Sequence, residues 1–265
     1  MFGIKKRRRE RLMRQPFPPE WTAILGRMVP YYGILPPADQ AELRGLMQVF
    51  LAEKHFEGCE GVEITDEIRV TIAAQACILL LHRETDIYPL LQSVLVYPDA
   101  YFAPVRRREP GGFISEEIED RSGESWSIGA LVLSWKDVVL DSSDIHDGYN
   151  VVFHEFAHQL DDEAGRADGA PPLPKRSMYA DWERVLGDEY DRLVENVERR
   201  RPTFLDPYGA TNPAEFFAVI TEYFFEKSRE LKLFHPELYE QLRLYYRQDP
   251  ASRAEARGGS DSSKA

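Results

Sequence analysis

Two histidines and a glutamate stand together in His154-Glu155-Phe156-Ala157-His158, and their spacing suits a metal site. On a helix, residues four apart lie about 40° apart in azimuth and one turn apart in height, so both imidazoles reach one Zn2+ at roughly 2.0–2.1 Å. Glu155 follows the first histidine, too poorly placed to be a third ligand from the same helix. It is well placed as a base for a water whose pKa zinc lowers toward about 7. The pattern is short enough to arise by chance, so its setting decides. It lies in an amphipathic run with Val151, Val152, Phe156 and Leu160, which holds such a helix against a core while the histidines face a cleft. The chemistry indicated is metal-assisted hydrolysis with one zinc ion per chain.

A catalytic zinc needs a third protein ligand and an open position. His55, His82, His146 and His235 follow no matching pattern and read as ordinary surface or partly buried residues. Carboxylates are the better source. The run from Asn212-Pro213 to Phe225 is too apolar to be exposed all round, and Glu215 and Glu222, seven apart, share one face of it. Glu215 has a competing use, because Asn212-x-x-Glu215 is a capping box in which the glutamate returns to the cap amide. Glu222 competes as a rim carboxylate or one standing behind a ligand. Spacing favours Glu215 only slightly. Tyr208, in a loop seven residues before Glu215, has either a packing role or the task of donating its hydroxyl to an oxyanion.

The elements that must position these residues are mostly helical. Trp21–Tyr32, Asp39–Lys54, Asp66–His82 and a shorter Asp86–Gln92 read as helices, the third capped by Thr65. Ser93–Tyr97 and Gly129–Leu140 are β-branched runs read as strands of a small, mainly antiparallel sheet. The stretch Gly129–Trp135 is open to two roles, pairing an extended substrate at a sheet edge or lying inside the sheet. Helix returns from about Gly148 to Asp162 with Asp147 as N-cap, followed by a loop from Gly165 to Pro174 and a long amphipathic helix Met178–Arg199. Further helices start at Asn212-Pro213 and at Pro236. The class is α+β, mainly helical, with a small mixed or antiparallel sheet and a helical N-terminal part. The divisions expected are a basic flexible tail at 1–15, helices at 16–92, a catalytic part at 93–250 packed with them as one unit, and a disordered tail at 251–265.

The charge balance narrows the partners. With 33 Lys plus Arg against 45 Asp plus Glu, the net charge of -12 disfavours nucleic acid except at the cationic run between Lys5 and Arg14. That run reads as a solvated, partly helical tail. It is followed by Pro16–Pro19 instead of an apolar signal core, and no stretch reaches the roughly 18 apolar residues of a membrane helix. Cys59 and Cys77 form no disulfide framework, so a soluble protein of the reducing cytoplasm is expected.

Several longer motifs occur in order: Phe56-Glu-Gly-Cys-Glu-Gly61, Ile64-Thr-Asp-Glu67, Ile72-Ala-Ala-Gln-Ala-Cys77, Leu131-Val-Leu-Ser-Trp135, His154 to Asp161, Asp168-Gly-Ala-Pro171 and Tyr208 to Val219. In these the chain resembles the Mlc titration factor A family of bacterial zinc metallopeptidases, which is similar in active-site plan to the anthrax lethal factor catalytic domain. The resemblance implies a zincin-like fold of gluzincin type, with His154, His158 and Glu215 as ligands, Glu155 as base and Tyr208 as the transition-state donor. It also implies aminopeptidase-like activity on short peptides and binding of Mlc, a repressor of sugar-uptake genes. The alternative function is a non-catalytic protein that sequesters the repressor and carries structural zinc.

Overall fold

The computed structural model describes residues 2–84, 86–99, 101–108, 114–121, 123–126 and 129–253. Helices α1 (Phe2–Met13), α2 (Pro19–Met28), α3 (Pro30–Ile34) and α4 (Pro37–Glu53) lead into strand β1 (His55–Gly58) and helix α5 (Asp66–Ile78). Strands β2 (Ser93–Tyr97), β3 (Tyr101–Arg108), β4 (Ile114–Arg121), β5 (Gly123–Trp126) and β6 (Ala130–Ser134) follow. The rest is helical: α6 (Trp135–Ser143), α7 (Val151–Asp161), α8 (Tyr179–Glu198), α9 (Pro213–Glu226), α10 (Ser228–Phe234) and α11 (Pro236–Tyr246). The fold is mainly helical α+β.

The sheet is mixed, with order β1-β2-β6-β5. β1 and β6 both run parallel to β2, and only β5 is antiparallel to its neighbour, so the mainly antiparallel sheet expected from the sequence is corrected. β3 and β4 form a separate antiparallel pair. Since β6 has β2 on one side and β5 on the other, the Gly129–Trp135 stretch lies inside the sheet and has no edge to offer a substrate. It is also shorter than expected. Ser134 ends the strand by accepting the Asp137 N–H at 3.2 Å, and its cap turns the apolar run that follows into α6.

Residues 86–92, expected to be helical, form turns. Pro89 has no N–H, Tyr88 sits at φ 43°, and Lys54 Nζ takes the Tyr88 and Leu91 carbonyls at 2.6 and 2.8 Å. The broken chain still packs. The Tyr88 hydroxyl donates to the Ala76 carbonyl at 2.6 Å, and its ring stands 4.7 Å from that of Phe156.

One continuous cluster of buried apolar side chains runs from Ile24 to Ala251. Its middle is the inner face of α7, where Phe156 meets Phe50 of α4 at 5.8 Å and Phe153 meets Tyr31 of α3 at 6.0 Å and Phe225 of α9 at 5.2 Å. The N-terminal helices thus form the floor on which the motif helix lies. The basic segment read as a tail is helical in α1 and tied down along one side, where Arg9 forms ion pairs with Glu53 and Asp86. At the other end Arg253 reaches Asp39 at 2.9 Å; residues 254–265 of the expected tail lie outside the described residues. No described helix is long and apolar enough to cross a membrane.

Candidate metal centre

α7 begins later than the sequence suggests. Asp147 spends its carboxylate on the Tyr149 N–H at 2.9 Å, and Gly148 at φ +82° turns the chain away from helical geometry. Asn150 is the cap, accepting the Phe153 N–H at 2.9 Å. From there the apolar positions face the core, leaving His154 and His158 on the side turned to α9. α9 starts at its own cap, Asn212, whose Oδ1 accepts the Glu215 N–H at 2.9 Å. That is the half of the capping box that uses the Glu215 backbone. The Glu215 carboxylate goes elsewhere.

Glu215 Oε2 lies 3.0 Å from His154 Nε2 and 3.3 Å from His158 Nε2. Donor atoms of these three residues all fall within 4.8 Å of one another, the one such group among the described residues. Ligands at roughly 2.0–2.1 Å from a tetrahedral zinc stand about 3.3–3.4 Å apart, so the observed separations suit one ion. Two imidazoles and a carboxylate also suit zinc chemically, and all three side chains retain some exposure, between 14% and 18%, which leaves room for a further ligand.

Glu222, the other carboxylate on this face of α9, reaches the opposite nitrogen, with Oε1 2.8 Å from His154 Nδ1. A carboxylate there accepts the Nδ1 proton and leaves the Nε2 lone pair for a metal. The other oxygen of Glu222 accepts the Asn150 N–H at 2.6 Å. Burial opposes a charge on His154, but hydrogen bonds to Glu215 and Glu222 outweigh it and hold its pKa well above the ordinary histidine range. Burial likewise works to raise Glu215, and the two imidazoles overcome it, holding that carboxyl far below its usual range.

Glu155 is buried at 5% exposure beside these three side chains. Tyr208 sits in a 3-10 turn, Pro207–Ala210, built when Asp206 Oδ1 accepts the Tyr208 N–H at 2.7 Å. Its ring is 5.9 Å from that of His154 and 54% exposed. The structure therefore brings His154, His158, Glu215, Glu222 and Tyr208 together, with Glu155 on the same helix. The loop after α7 is held from both sides: Asp161 Oδ2 accepts the Gly169 N–H at 2.8 Å, and Trp182 Nε1 of α8 donates to the Gly169 carbonyl at 3.2 Å. A Cβ at Gly169 would meet the Pro213 carbonyl at 2.4 Å, so glycine is what lets this loop touch the start of α9.

Sequence reasoning missed the polar surroundings. Tyr149 donates its hydroxyl to Asp206 at 2.6 Å, bridging the approach to α7 and the Tyr208 turn. Asp141 of α6 accepts the Val151 N–H at 2.9 Å, and its pKa is pushed up to about 7 by burial against that bond. Glu226 accepts from Asn150 at 3.0 Å, and burial pushes it up to about 9. The available signal was acidic residues at Glu222 and Glu226 inside an otherwise apolar helix; Asn150, Tyr149 and Asp141 carry no periodic mark.

A mainly helical α+β fold in which two facing helices aim two imidazoles and a carboxylate at one point has the plan of a metallopeptidase. Residues 4–247 match the family described as glucose-regulated metallo-peptidase M90, and the chain belongs to that family. Among its relatives is an uncharacterized protein of Synechocystis sp., 46% identical over 92% of this chain and 89% of that protein. Proteins named Mlc titration factor A are also similar: that of Salmonella arizonae is 34% identical over 85% of this chain and 90% of its own length. That of Klebsiella pneumoniae is 32% identical over 88% of each.

Proposed function

We propose that the protein is a zinc-dependent peptidase of gluzincin type, holding one Zn2+ with His154, His158 and Glu215. The observation that carries the reading is the convergence of their three donor atoms. When bound, the metal supplies Lewis acidity to the scissile carbonyl and to water. Glu155 takes the proton of the attacking water and delivers it to the leaving amine. The Tyr208 hydroxyl donates to the developing oxyanion, and its exposure lets it swing onto a bound peptide. Short peptides, cleaved in the manner of an aminopeptidase, are the expected substrates, and the absence of a disulfide between Cys59 and Cys77 suits a cytoplasmic setting. The test is peptide-library hydrolysis by wild type and Glu155→Gln at matched zinc content. A loss of about 10²–10⁴-fold is expected, and wild-type turnover by the variant would remove Glu155 from the mechanism.

A second reading rests on the name of the relatives, Mlc titration factor A. In it the chain binds the repressor Mlc, either alongside hydrolysis or in place of it. Binding of purified Mlc that survives metal chelation, together with no cleavage of any peptide in the library, favours sequestration over catalysis.

A further inference from the structure

Asn150 is 3% exposed, and every polar group it owns is engaged. Its carbonyl accepts the His154 N–H at 2.9 Å and its Oδ1 caps α7 at the Phe153 N–H, also at 2.9 Å. Its N–H donates to Glu222 Oε2 at 2.6 Å, while Glu222 Oε1 stands 2.8 Å from His154 Nδ1. Its Nδ2 donates twice, to Gln75 Oε1 of α5 at 2.8 Å and to Glu226 Oε1 of α9 at 3.0 Å. Gln75 continues the chain by donating to Ser142 Oγ of α6 at 2.8 Å. Four helices are joined at the residue that starts the motif helix.

Capping accounts for Oδ1 alone, and serine, threonine or aspartate would serve equally well for that task. The two Nδ2 donors need another explanation. They clamp the Asn150 backbone, in an extended conformation at φ -153° and ψ 96°, between α5 and α9. The clamped N–H then holds one oxygen of Glu222, leaving the other fixed on His154. An imidazole binds a metal through either nitrogen, so the partner of Nδ1 decides which tautomer and ring angle the metal meets.

We propose that Asn150 is a positioning residue of the metal centre, acting through Glu222 to present His154 Nε2 to the point shared with His158 and Glu215. The proposal rests on the zinc reading. Asn150→Ser keeps a cap oxygen and deletes both Nδ2 donors, separating the two roles. Zn2+ affinity is measured by competition with a chromophoric chelator on the full chain, with melting of the metal-free protein and the visible spectrum of the Co2+ form recorded in parallel. The variant is expected to bind Zn2+ about 10–100-fold more weakly and to shift the Co2+ bands. Affinity within about threefold of wild type with an unchanged Co2+ spectrum overturns the proposal, whatever happens to melting, because a cap alone then suffices. If Asn150→Ser does not fold, the Glu226 pair decides. Glu226→Leu removes one Nδ2 acceptor and is expected to weaken Zn2+ binding severalfold, whereas Glu226→Gln keeps the acceptor and restores it; equal, wild-type affinity in both overturns the proposal. A wild-type chain that takes up no Zn2+ fails differently, since it removes the zinc reading itself and the proposal with it.

Discussion

Charges are placed in opposite ways in the N-terminal helices and around the α7–α9 pair. On α1 to α5 they stand mostly toward the periphery in partly exposed ion pairs, such as Arg9 with Glu53 and Asp86 and Arg27 with Glu67, with Asp39, paired with Arg253, the buried exception, over an interior of Leu43, Met47, Val49 and Phe50. Around α7 and α9 they are inside: Glu155, Asp161, Glu222 and Glu226 are each no more than 6% exposed. A buried carboxylate costs several kcal/mol unless bonded, and apolar residues of similar volume often stabilise more. The first arrangement is the one stability alone would produce. The second persists where titratable groups have work to do, and it coincides with the three convergent donors.

The contrast has consequences that differ in size. Glu215→Ala removes a proposed ligand and is expected to weaken Zn2+ binding more than 100-fold, whereas Glu222→Ala, behind His154, should cost about 10–100-fold. Metal titration of both variants ranks them, and the reverse order would exchange the two assignments. Tyr208→Phe leaves the three proposed ligands intact and is expected to lower kcat by about 10²-fold with little change in KM. An equally large loss by this variant in peptide binding measured without turnover would make Tyr208 a binding residue instead.

Stability supplies the smaller effects. Glu226 has its pKa raised by burial to about 9 in the folded chain, so its contribution to stability is complete below the ordinary glutamate range and is lost as pH rises toward 9. Glu226→Gln is accordingly expected to stabilise the fold by roughly 1–3 kcal/mol at pH 8 and not at pH 4, as read by denaturant melts. Asp86 has the opposite sign. Burial works to raise it, but Arg9 and Lys5 prevail and hold it at about 2, so its contribution is present above the ordinary aspartate range and lost as pH falls toward 2. Lys5→Ala, which removes the exposed ion pair to Asp86, should cost no more than about 1 kcal/mol at neutral pH and flatten part of that acid limb. A loss as large as the gain from Glu226→Gln would contradict the division between peripheral and buried charge.

Local rules made part of the centre legible. The His154/His158 spacing follows from 3.6 residues per turn, and α9 begins where Asn212-Pro213 says it should, because caps and helix periodicity depend on neighbours in the chain. The same locality misled at Gly129–Leu140, where β-branched content suits both a buried strand and a short buried helix; Ser134, through its cap, divides the run into β6 and α6. It also misled at 86–92, where Lys54 from another element takes the carbonyls a helix needs.

By itself the sequence determined the motif helix, its apolar face, and the presence of Glu215 and Glu222 on one side of a second helix. Only tertiary structure decided that Glu215 meets the Nε2 atoms of both histidines while Glu222 meets His154 Nδ1, and that Asn150 ties four helices together where Asp147 was expected to act as a cap. The physical reason is that nothing in the local sequence around either glutamate fixes which histidine nitrogen it meets. Their roles differ through the crossing of α9 over α7, which depends on packing among Phe153, Phe225 and Tyr31, residues far apart in the chain.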